Sequence, residues 1–338
     1  SYSHYQLERG IKKMKKKILI LFVLTFALLM FTVAQVGAQD YQIGISQFVE
    51  HPALDAAREG FIEGLAEEGF TEDMIEFTVQ NAQADFATAQ SIAQQFKSNN
   101  LDLVLAIATP NAQAAANVIK NIPVLFTAVT DPVEAGIVET MEEPGSNLTG
   151  TTDMNPVAQQ LELIKEFIPN ITDLGVLYNP GEVNSVVQVD LVKETTKEMG
   201  INLHEATVSN SSEVSLATSS LIGDVDAIYV PTDNIIVSAL PSVLNITNQN
   251  KIPVFASENG QVRQGAIATL GIDYKLLGIQ TGKMAARVLN GESPAEMSVE
   301  SSDELKLYLN TKAAENLELE IPAAVMDRAN VIYEEITQ

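Results

Sequence analysis

The sequence contains no cysteine, no tryptophan and only three histidines among its 338 residues. Without cysteine the chain cannot form a disulfide, a thiolate metal site or a lipid-modified cysteine that would tether it to a membrane. The histidines, His4, His51 and His204, offer few candidates for a catalytic base or a metal ligand. We therefore predict no metal and no cofactor.

The motifs of common catalytic centres are also missing. The chain has no Gly-x-Ser-x-Gly elbow, no His-Glu-x-x-His helix, no Gly-x-Gly-x-x-Gly turn and no P-loop. A pair of carboxylates could still perform acid–base chemistry, because the chain has many acidic residues. The sequence favours a protein that is not an enzyme, and a secreted enzyme remains an alternative.

Basic residues are scarce outside the N-terminal segment. Six of the 20 Lys and Arg and one of the 44 Asp and Glu precede residue 39, which leaves 14 against 43 and a net charge of −29. Phosphate contacts need a basic face, so this charge excludes a nucleic-acid partner.

The N-terminal segment has the pattern of a targeting sequence. Met14 is a natural start, and we interpret residues 1–13 as an upstream extension or a cloning artefact. Residues 14–38 have a basic start, an apolar run and small residues before position 39, which predicts a signal peptide. A retained anchor is the alternative, because the apolar run of 17 residues is at the short limit for crossing a membrane. We expect an exported protein at the periplasmic or extracellular face of the cell membrane.

From residue 41 onward, short apolar runs alternate with helical patterns. Apolar residues recur with helical spacing at Leu54, Ala57, Phe61 and Leu65, and again over 86–96. This alternation predicts an α/β protein with two doubly wound parallel sheets. The predicted strands are "YQIGISQF", "LDLVLAIAT", "IPVLFTAVT", "DLGVLYN", "INLHEATV", "VDAIYVPT", "IPVFAS" and "AIATLGID".

Polar residues followed by proline recur near the predicted strand ends, as Thr109-Pro110, Asp131-Pro132 and Asn155-Pro156. Such pairs are typical of helix starts, where the polar side chain caps free N–H groups. His51-Pro52 begins the first helix in a related way. Ligands of open α/β sheets bind at this carboxyl edge, although each residue could be only a cap.

The stretch "IYVPTDNII" changes from apolar to polar and back. We predict that its strand ends at the carboxyl edge, that Thr232 to Asn234 lie in a crevice, and that Ile235 starts a helix. Asp233 has no basic residue within ten positions on either side. It could therefore bind a ligand ammonium, or it could be only a helix cap.

Seven segments together resemble one family. The segments are "GISQFVEHPALDAAREGF", "IATPNAQAA", "PVLFTAVTDP", "LTGTTDM", "GVLYNPGEVNS", "IYVPTDN" and "TLGIDYKLLGIQTGKMA". In the same order and from about Tyr41 to Tyr333, they are similar to the tryptophan/tyrosine-type substrate-binding proteins of ABC importers.

The resemblance implies a type I periplasmic-binding-protein fold, with a ligand cleft between two α/β lobes. The N-terminal lobe would comprise 41–154 plus 274–298, and the C-terminal lobe 155–273 plus 299–335. It also implies hinge closure around an L-amino acid, most often an aromatic one, and a membrane permease with its ATPase as partners. We expect a monomer. The ligand-binding ectodomain of a membrane-held sensor is the alternative function if the leader is retained.

The resemblance also implies which residues line the cleft. Ser46 and Thr109 would hold the ligand carboxylate, Asn184 and Ser185 would close from the other lobe, and Asp233 would take the ammonium, with Asp273 as a second candidate. Phe48 and Tyr178 could pack against an aromatic side chain or belong to the core. The full set is Ser46, Gln47, Phe48, Thr109, Thr130, Asp131, Tyr178, Asn184, Ser185, Thr232, Asp233, Asn234 and Asp273.

Overall fold

The computed structural model describes Met14, residues 41–302 and residues 304–337. The segment 1–13 and the predicted signal peptide 14–38 lie outside these residues, apart from Met14. Within the part of the chain that is described, no helix is both long enough and apolar enough to cross a membrane.

Strands and helices alternate along most of the chain. The strands are β1 (Tyr41–Gln47), β2 (Ile75–Asn81), β3 (Leu103–Ile107), β4 (Val124–Val129), β5 (Leu148–Thr152), β6 (Asp173–Tyr178), β7 (Asn202–Thr207), β8 (Ala227–Val230), β9 (Val254–Ala256), β10 (Ala268–Gly271), β11 (Glu300–Ser301), β12 (Lys306–Asn310) and β13 (Val331–Tyr333). The helices are α1 (Pro52–Glu67), α2 (Phe86–Ser98), α3 (Thr109–Val118), α4 (Val157–Phe167), α5 (Val183–Met199), α6 (Val214–Leu221), α7 (Asn234–Ser238), α8 (Leu240–Gln249), α9 (Asn259–Gln264), α10 (Tyr274–Leu289), α11 (Thr311–Leu317) and α12 (Ala323–Arg328).

The first sheet has six parallel strands in the order β11-β5-β4-β3-β1-β2. Its central strands β3 and β4 are buried at every residue, because helices cover both faces. The predicted strands at β1, β3 and β4 are confirmed. The predicted stripe of α1 is also confirmed, since Leu54, Ala57, Phe61 and Leu65 are all buried.

The second sheet is parallel in the order β7-β6-β8-β9, and it confirms the four strands predicted there. The prediction that "AIATLGID" extends this parallel sheet is wrong. Its strand, β10, lies in a separate three-stranded sheet and runs antiparallel to β12, with Ala268 opposite Leu309. An apolar run shows that a strand is buried, but it carries no information about the direction of its partner.

Strand β5, "LTGTT", was not predicted because its sequence is polar, yet all five residues are buried. The threonine hydroxyl groups of this strand form hydrogen bonds inside the core, with other hydroxyl groups or with a backbone carbonyl. Thr151 Oγ1 lies 3.0 Å from Thr127 Oγ1 and 2.8 Å from Thr281 Oγ1, while Thr149 Oγ1 donates to the Met297 carbonyl at 2.7 Å. Buried polar groups are tolerated when they are paired in this way.

Helices α1 and α10 pack with their backbones in close approach. A Cβ atom added at Gly60 or Gly64 of α1, or at Gly278 or Gly282 of α10, would meet backbone atoms of the other helix. Only glycine allows this distance. The close packing fixes the first turns of both helices beside the same edge of the first sheet.

The predicted division into lobes remains a proposal, and the packing supports most of it. Residues 272–299 contribute to the hydrophobic core of the first sheet, and β12 and α11 contribute to that of the second. Strand β11 differs from the prediction: Glu300 and Ser301 pair with β5, so the chain leaves the first sheet after residue 301 rather than 298. A two-residue strand has no periodicity that a sequence pattern could detect.

Candidate functional site

A largely enclosed cavity of about 20 Å³, room for about one water molecule, lies between the two parallel sheets. On one side it is lined by the ends of β4 and β5 and by the first turns of α1 and α10. On the other side it is lined by α5, α7 and the loops after β8 and β9. The lining residues are His51, Ala53, Leu54, Ala128, Thr130, Asp153, Asn184, Thr232, Asn234, Val237, Glu258 and Tyr274.

The two sides of the cavity touch each other directly. Thr130 Oγ1, just after β4, lies 3.4 Å from Thr232 Oγ1, just after β8. The backbone before Thr130 is irregular: the β4–β5 register shifts between Phe126 and Val129, and Ala128 has a φ of 56°. Irregularities of this kind redirect side chains at the end of a strand, and here they bring Thr130 to the cavity.

Two buried carboxylates face the cavity. Asp153 accepts hydrogen bonds from the Thr130 hydroxyl at 2.9 Å and the Tyr274 hydroxyl at 2.5 Å. Glu258 caps α9, where it accepts from the backbone N–H of Gly260 at 2.5 Å and of Gln261 at 2.8 Å. None of the described residues that line the cavity is Lys or Arg.

Burial sets the ionisation of these two carboxyl groups. It raises the pKa of Asp153, although hydrogen bonds from Tyr274 and Thr130 oppose the rise. It raises the pKa of Glu258 to about 7, with a further contribution from the charge of Asp153. A cation between the two groups would favour their ionised forms.

A second polar group in the lining consists of amides. The side-chain nitrogen of Asn184 donates to Glu182 Oε2 at 3.1 Å and to the Thr232 carbonyl at 2.8 Å. The side-chain nitrogen of Asn234 donates to the same Glu182 oxygen at 2.5 Å. The carbonyl oxygen of Asn184 is buried and has no hydrogen-bond partner. Burial, followed by the charge of Asp233, raises the pKa of Glu182.

The first turn of α1 is the third polar feature of the cavity. The first hydrogen bond of this helix joins the Asp55 N–H to the His51 carbonyl at 3.1 Å, so the N–H groups of Ala53 and Leu54 have no partner within the helix. His51 Nδ1 is buried without a partner. Burial lowers the pKa of His51 to about 4, so its ring is neutral at pH 7.

Asp233, predicted to bind a ligand ammonium or to cap a helix, is the cap of α7. Its Oδ1 accepts from the Ile236 N–H at 2.9 Å. Its Oδ2 accepts from the Asn179 N–H and the Ser185 hydroxyl, both at 2.6 Å. The residue is 0% exposed and does not line the cavity, and both of its carboxylate oxygens already accept hydrogen bonds within the protein.

Four of the predicted site residues line the cavity: Thr130, Asn184, Thr232 and Asn234. The others lie elsewhere. The side-chain amide of Gln47 donates to Asp55 Oδ1 at 2.9 Å and accepts from Arg58 Nη1 at 2.6 Å. Phe48 packs in the core against Phe86, with ring centroids 5.3 Å apart.

Two more of the predicted residues face away from the cavity. The Tyr178 hydroxyl donates to Glu205 at 2.8 Å, and Tyr178 is not among the residues that line the cavity. Asp273 caps α10 through the N–H groups of Lys275 and Leu276. Apolar or aromatic character alone did not distinguish side chains on the cavity from those on the opposite face.

The predicted caps are partly wrong. Helix α3 is preceded by Ala108 and helix α4 by Pro156, so neither Thr109 nor Asn155 is a cap. Asp131 accepts from the N–H groups of Val133 and Glu134, which stabilises a turn rather than a helix. Thr109 Oγ1 is buried without a partner, and Ser46 accepts from the side-chain nitrogen of Asn111 at 2.7 Å.

Sequence reasoning missed Asp153, Glu258 and Tyr274 and placed His51 only at the start of the first helix. A usable signal existed for both carboxylates. Asp153 follows β5 directly, and Glu258 comes two residues after β9, at the edge where ligands bind in open sheets. Asp153 was missed because β5, the strand before it, has a polar sequence. Glu258 was missed because the residues around it have the pattern of an ordinary loop.

A wider groove, with a volume of about 480 Å³, opens to solvent between the loop after β4 and the outer part of α5. Apolar residues such as Met154 and Val187 form part of it, and Asp131, Glu134 and Glu194 also line it. Small-molecule sites bury most of the ligand surface. The cavity between the sheets is the more enclosed of the two, and it must widen to admit a ligand larger than water.

Comparison with known proteins gives a consistent result. The family of ABC transporter substrate binding proteins matches residues 42–332. The chain is 48% identical to a tyrosine-binding protein of Clostridioides difficile over 279 residues, which are 82% of this chain and 81% of that protein.

Two solved structures differ in how well they superpose. A Streptococcus pneumoniae ABC domain in complex with L-Trp is 37% identical, covers 87% of this chain and 99% of its own, and gives a TM-score of 0.84. The ligand-free, open structure of a Clostridium difficile substrate-binding protein is 47% identical, covers 87% of this chain and 100% of its own, and gives a TM-score of 0.66. The less similar sequence thus has the more similar shape.

Proposed function

The chain belongs to the family of ABC transporter substrate-binding proteins, and we propose that its enclosed cavity binds an aromatic L-amino acid. It is the substrate-binding protein of an ABC transporter and, as predicted, not an enzyme. Such proteins act outside the cytoplasm together with the other transporter components. The observation that carries the ligand proposal is the pair of buried carboxylates, Asp153 and Glu258, in a cavity lining without Lys or Arg.

The polar groups of the cavity match the two charges of an amino acid. The ligand ammonium lies between Asp153 and Glu258, where opposite charge offsets the desolvation of all three groups. The ligand carboxylate lies at the first turn of α1, where the N–H groups of Ala53 and Leu54 and the helix dipole favour an anion. The tyrosine-binding relative and the L-Trp complex support an aromatic side chain.

Closure around the ligand is part of the proposal. The structure is more similar to the L-Trp complex than to the open, ligand-free relative, and Thr130 contacts Thr232 across the cavity. A ligand that contacts both sides stabilises this closed arrangement, because it binds the closed form more tightly than the open one. We further propose a monomer that is exported by the signal peptide, with a permease and an ATPase as partners.

A fluorescence titration tests the proposal, because the chain has no tryptophan and so adds no tryptophan background. We expect L-tryptophan to show a saturable change in its own fluorescence when refolded, ligand-stripped protein is added, and L-tyrosine to compete. Thermal unfolding supplies the control: ligand at 100 times its dissociation constant should add about 2.7 kcal/mol to stability. If neither amino acid binds or stabilises the protein, the proposal is wrong.

The affinity for the amino acid should rise with pH up to about neutrality. Without ligand the pKa of Glu258 is raised to about 7, and a bound ammonium lowers it, so binding below that pH must release a proton. The raised pKa of Asp153 acts in the same direction. We expect the dissociation constant to fall by up to about tenfold per pH unit from acid to neutral pH and then to level off.

Calorimetry in two buffers with different ionisation enthalpies measures the released protons directly. Glu258→Gln is the control variant, because it keeps one capping oxygen for α9 and cannot titrate. It should release fewer protons than the wild-type protein at the same pH. An affinity that decreases as pH rises from 5.5 to 7 would contradict the assignment of the ammonium to these carboxylates.

A further inference from the structure

The polar lining of the cavity separates into a charged group and a neutral group. Asp153 and Glu258 share Tyr274 as a neighbour, and each affects the pKa of that tyrosine. Asn184 and Asn234 instead share Glu182 as their hydrogen-bond acceptor. A single ammonium satisfies the charged group, so the neutral group remains for another part of the ligand.

The amide of Asn184 can act toward the cavity only as an acceptor. Its nitrogen is occupied by Glu182 Oε2 at 3.1 Å and by the Thr232 carbonyl at 2.8 Å. Its oxygen has no partner, although the residue lines the cavity and is 3% exposed. An unpaired buried acceptor is unfavourable, and a ligand that supplies a donor removes that cost.

Glu182 fixes this orientation. Besides the two side-chain amides, it accepts from the N–H of Asn234 at 3.2 Å and of Ile235 at 3.3 Å. The backbone donors hold the Glu182 side chain in place, and its Oε2 accepts from the nitrogen of Asn184. Asp233 is packed beside this group, but its own oxygens are occupied by Asn179, Ser185 and Ile236.

We propose that Asn184, held by Glu182, is a specificity-determining residue that accepts a hydrogen bond from a donor on the aromatic side chain of the ligand. This inference rests on the proposed function and narrows it. The protein then selects tyrosine, with its hydroxyl group, or an indole N–H over phenylalanine, which has no donor. Asn184 contacts the ligand, whereas Glu182 is a positioning residue.

The expected discrimination follows from the cost of an unpaired polar group. Sites that hydrogen-bond a ligand hydroxyl reject the analogue without it by as much as about 10⁴- to 10⁵-fold. Because one neutral hydrogen bond carries the discrimination here, we expect L-tyrosine to bind about 5- to 150-fold more tightly than L-phenylalanine.

The experiment measures dissociation constants of L-tyrosine and L-phenylalanine by calorimetry for the wild-type protein, Asn184→Ala and Glu182→Gln. Asn184→Ala should weaken L-tyrosine until the two affinities lie within about threefold of each other, and leave L-phenylalanine within about threefold of its original value. Glu182→Gln should reduce the tyrosine preference less, because the Thr232 carbonyl still holds the amide. A residue with a purely structural role would weaken both ligands equally.

Asn111→Ala is the matched control. Asn111 is also buried with an unpartnered oxygen and a bonded nitrogen, but it does not line the cavity. This variant should keep the tyrosine preference. Wild-type protein alone gives a second test that needs no variant to fold: 4-amino-L-phenylalanine should bind about as tightly as L-tyrosine, and 4-fluoro-L-phenylalanine about as weakly as L-phenylalanine.

Equal wild-type affinities for L-tyrosine and L-phenylalanine would overturn the role of Asn184 and leave the proposed function standing. An equal loss of both affinities in Asn184→Ala would also overturn it. If no aromatic amino acid binds the wild-type protein, the proposed function itself fails, and the inference fails with it.

Discussion

Asp153→Asn is expected to weaken the binding of an aromatic L-amino acid by about 2–5 kcal/mol, which is roughly 30-fold to several thousand-fold. The side chain is 2% exposed and lines the cavity, so the substitution removes a negative charge where solvent cannot replace it. It also converts one of the two oxygens that accept from Thr130 and Tyr274 into a donor. Calorimetric titration with L-tyrosine at pH 8 measures the effect.

Asp226→Asn is the matched control for this prediction. Asp226 also accepts several hydrogen bonds, from the N–H groups of Thr172 and Asp173 and the Thr172 hydroxyl, but it does not line the cavity. Its substitution should leave ligand affinity unchanged. Urea unfolding of both variants separates loss of binding from loss of folding. A folded Asp153→Asn protein that binds as tightly as the wild type would refute the proposed ammonium site.

The sequence predicted the position of the strand end before Asp233 correctly. Strand β8 ends at Val230 and α7 begins at Asn234, as the change from apolar to polar residues indicated. The ligand role of Asp233 was inferred from the lack of a basic residue nearby in the sequence. Its actual partners are N–H and hydroxyl donors, and Asn179 and Ser185 lie 54 and 48 residues away along the chain. Such pairings depend on the fold and cannot be derived from local charge.

The opposite error occurred at Asp153. The residues before it are polar, and no strand was predicted there, whereas Thr149 and Thr151 pair with groups from distant segments and make β5 a core strand. Strand prediction works where apolar residues drive burial, as in β3. It fails where hydroxyl pairs permit burial, because those pairs exist only after the sheet has formed. With 43 acidic residues after the predicted signal peptide, composition could not identify the one at this strand end.

The separation of the cavity lining into a charged and a neutral group could not be predicted from the sequence either. Asn184 was predicted at the cleft, and the structure places it there. That its oxygen, and not its nitrogen, is left without a partner follows from Glu182, two residues earlier, which no pattern marked as special. A helix start with "GEVNS" shows only that polar residues lie at this edge, whereas the hydrogen bonds decide which atom the ligand meets.

We expect Asp233→Ala to lower the free energy of unfolding by about 3–5 kcal/mol, since it leaves two N–H groups and the Ser185 hydroxyl without their acceptor in the core. Loss of the α7 cap contributes about 1 kcal/mol of this. Urea unfolding followed by circular dichroism measures the change.

Ser185→Ala, which removes one donor and leaves the carboxylate two others, is the control and should cost less. If Asp233→Ala were as stable as the wild type and bound ligand at least 100-fold more weakly, Asp233 would be a ligand-binding residue. The three hydrogen bonds that occupy its carboxylate argue against that outcome, because an ammonium would have to displace donors that the fold already holds in place.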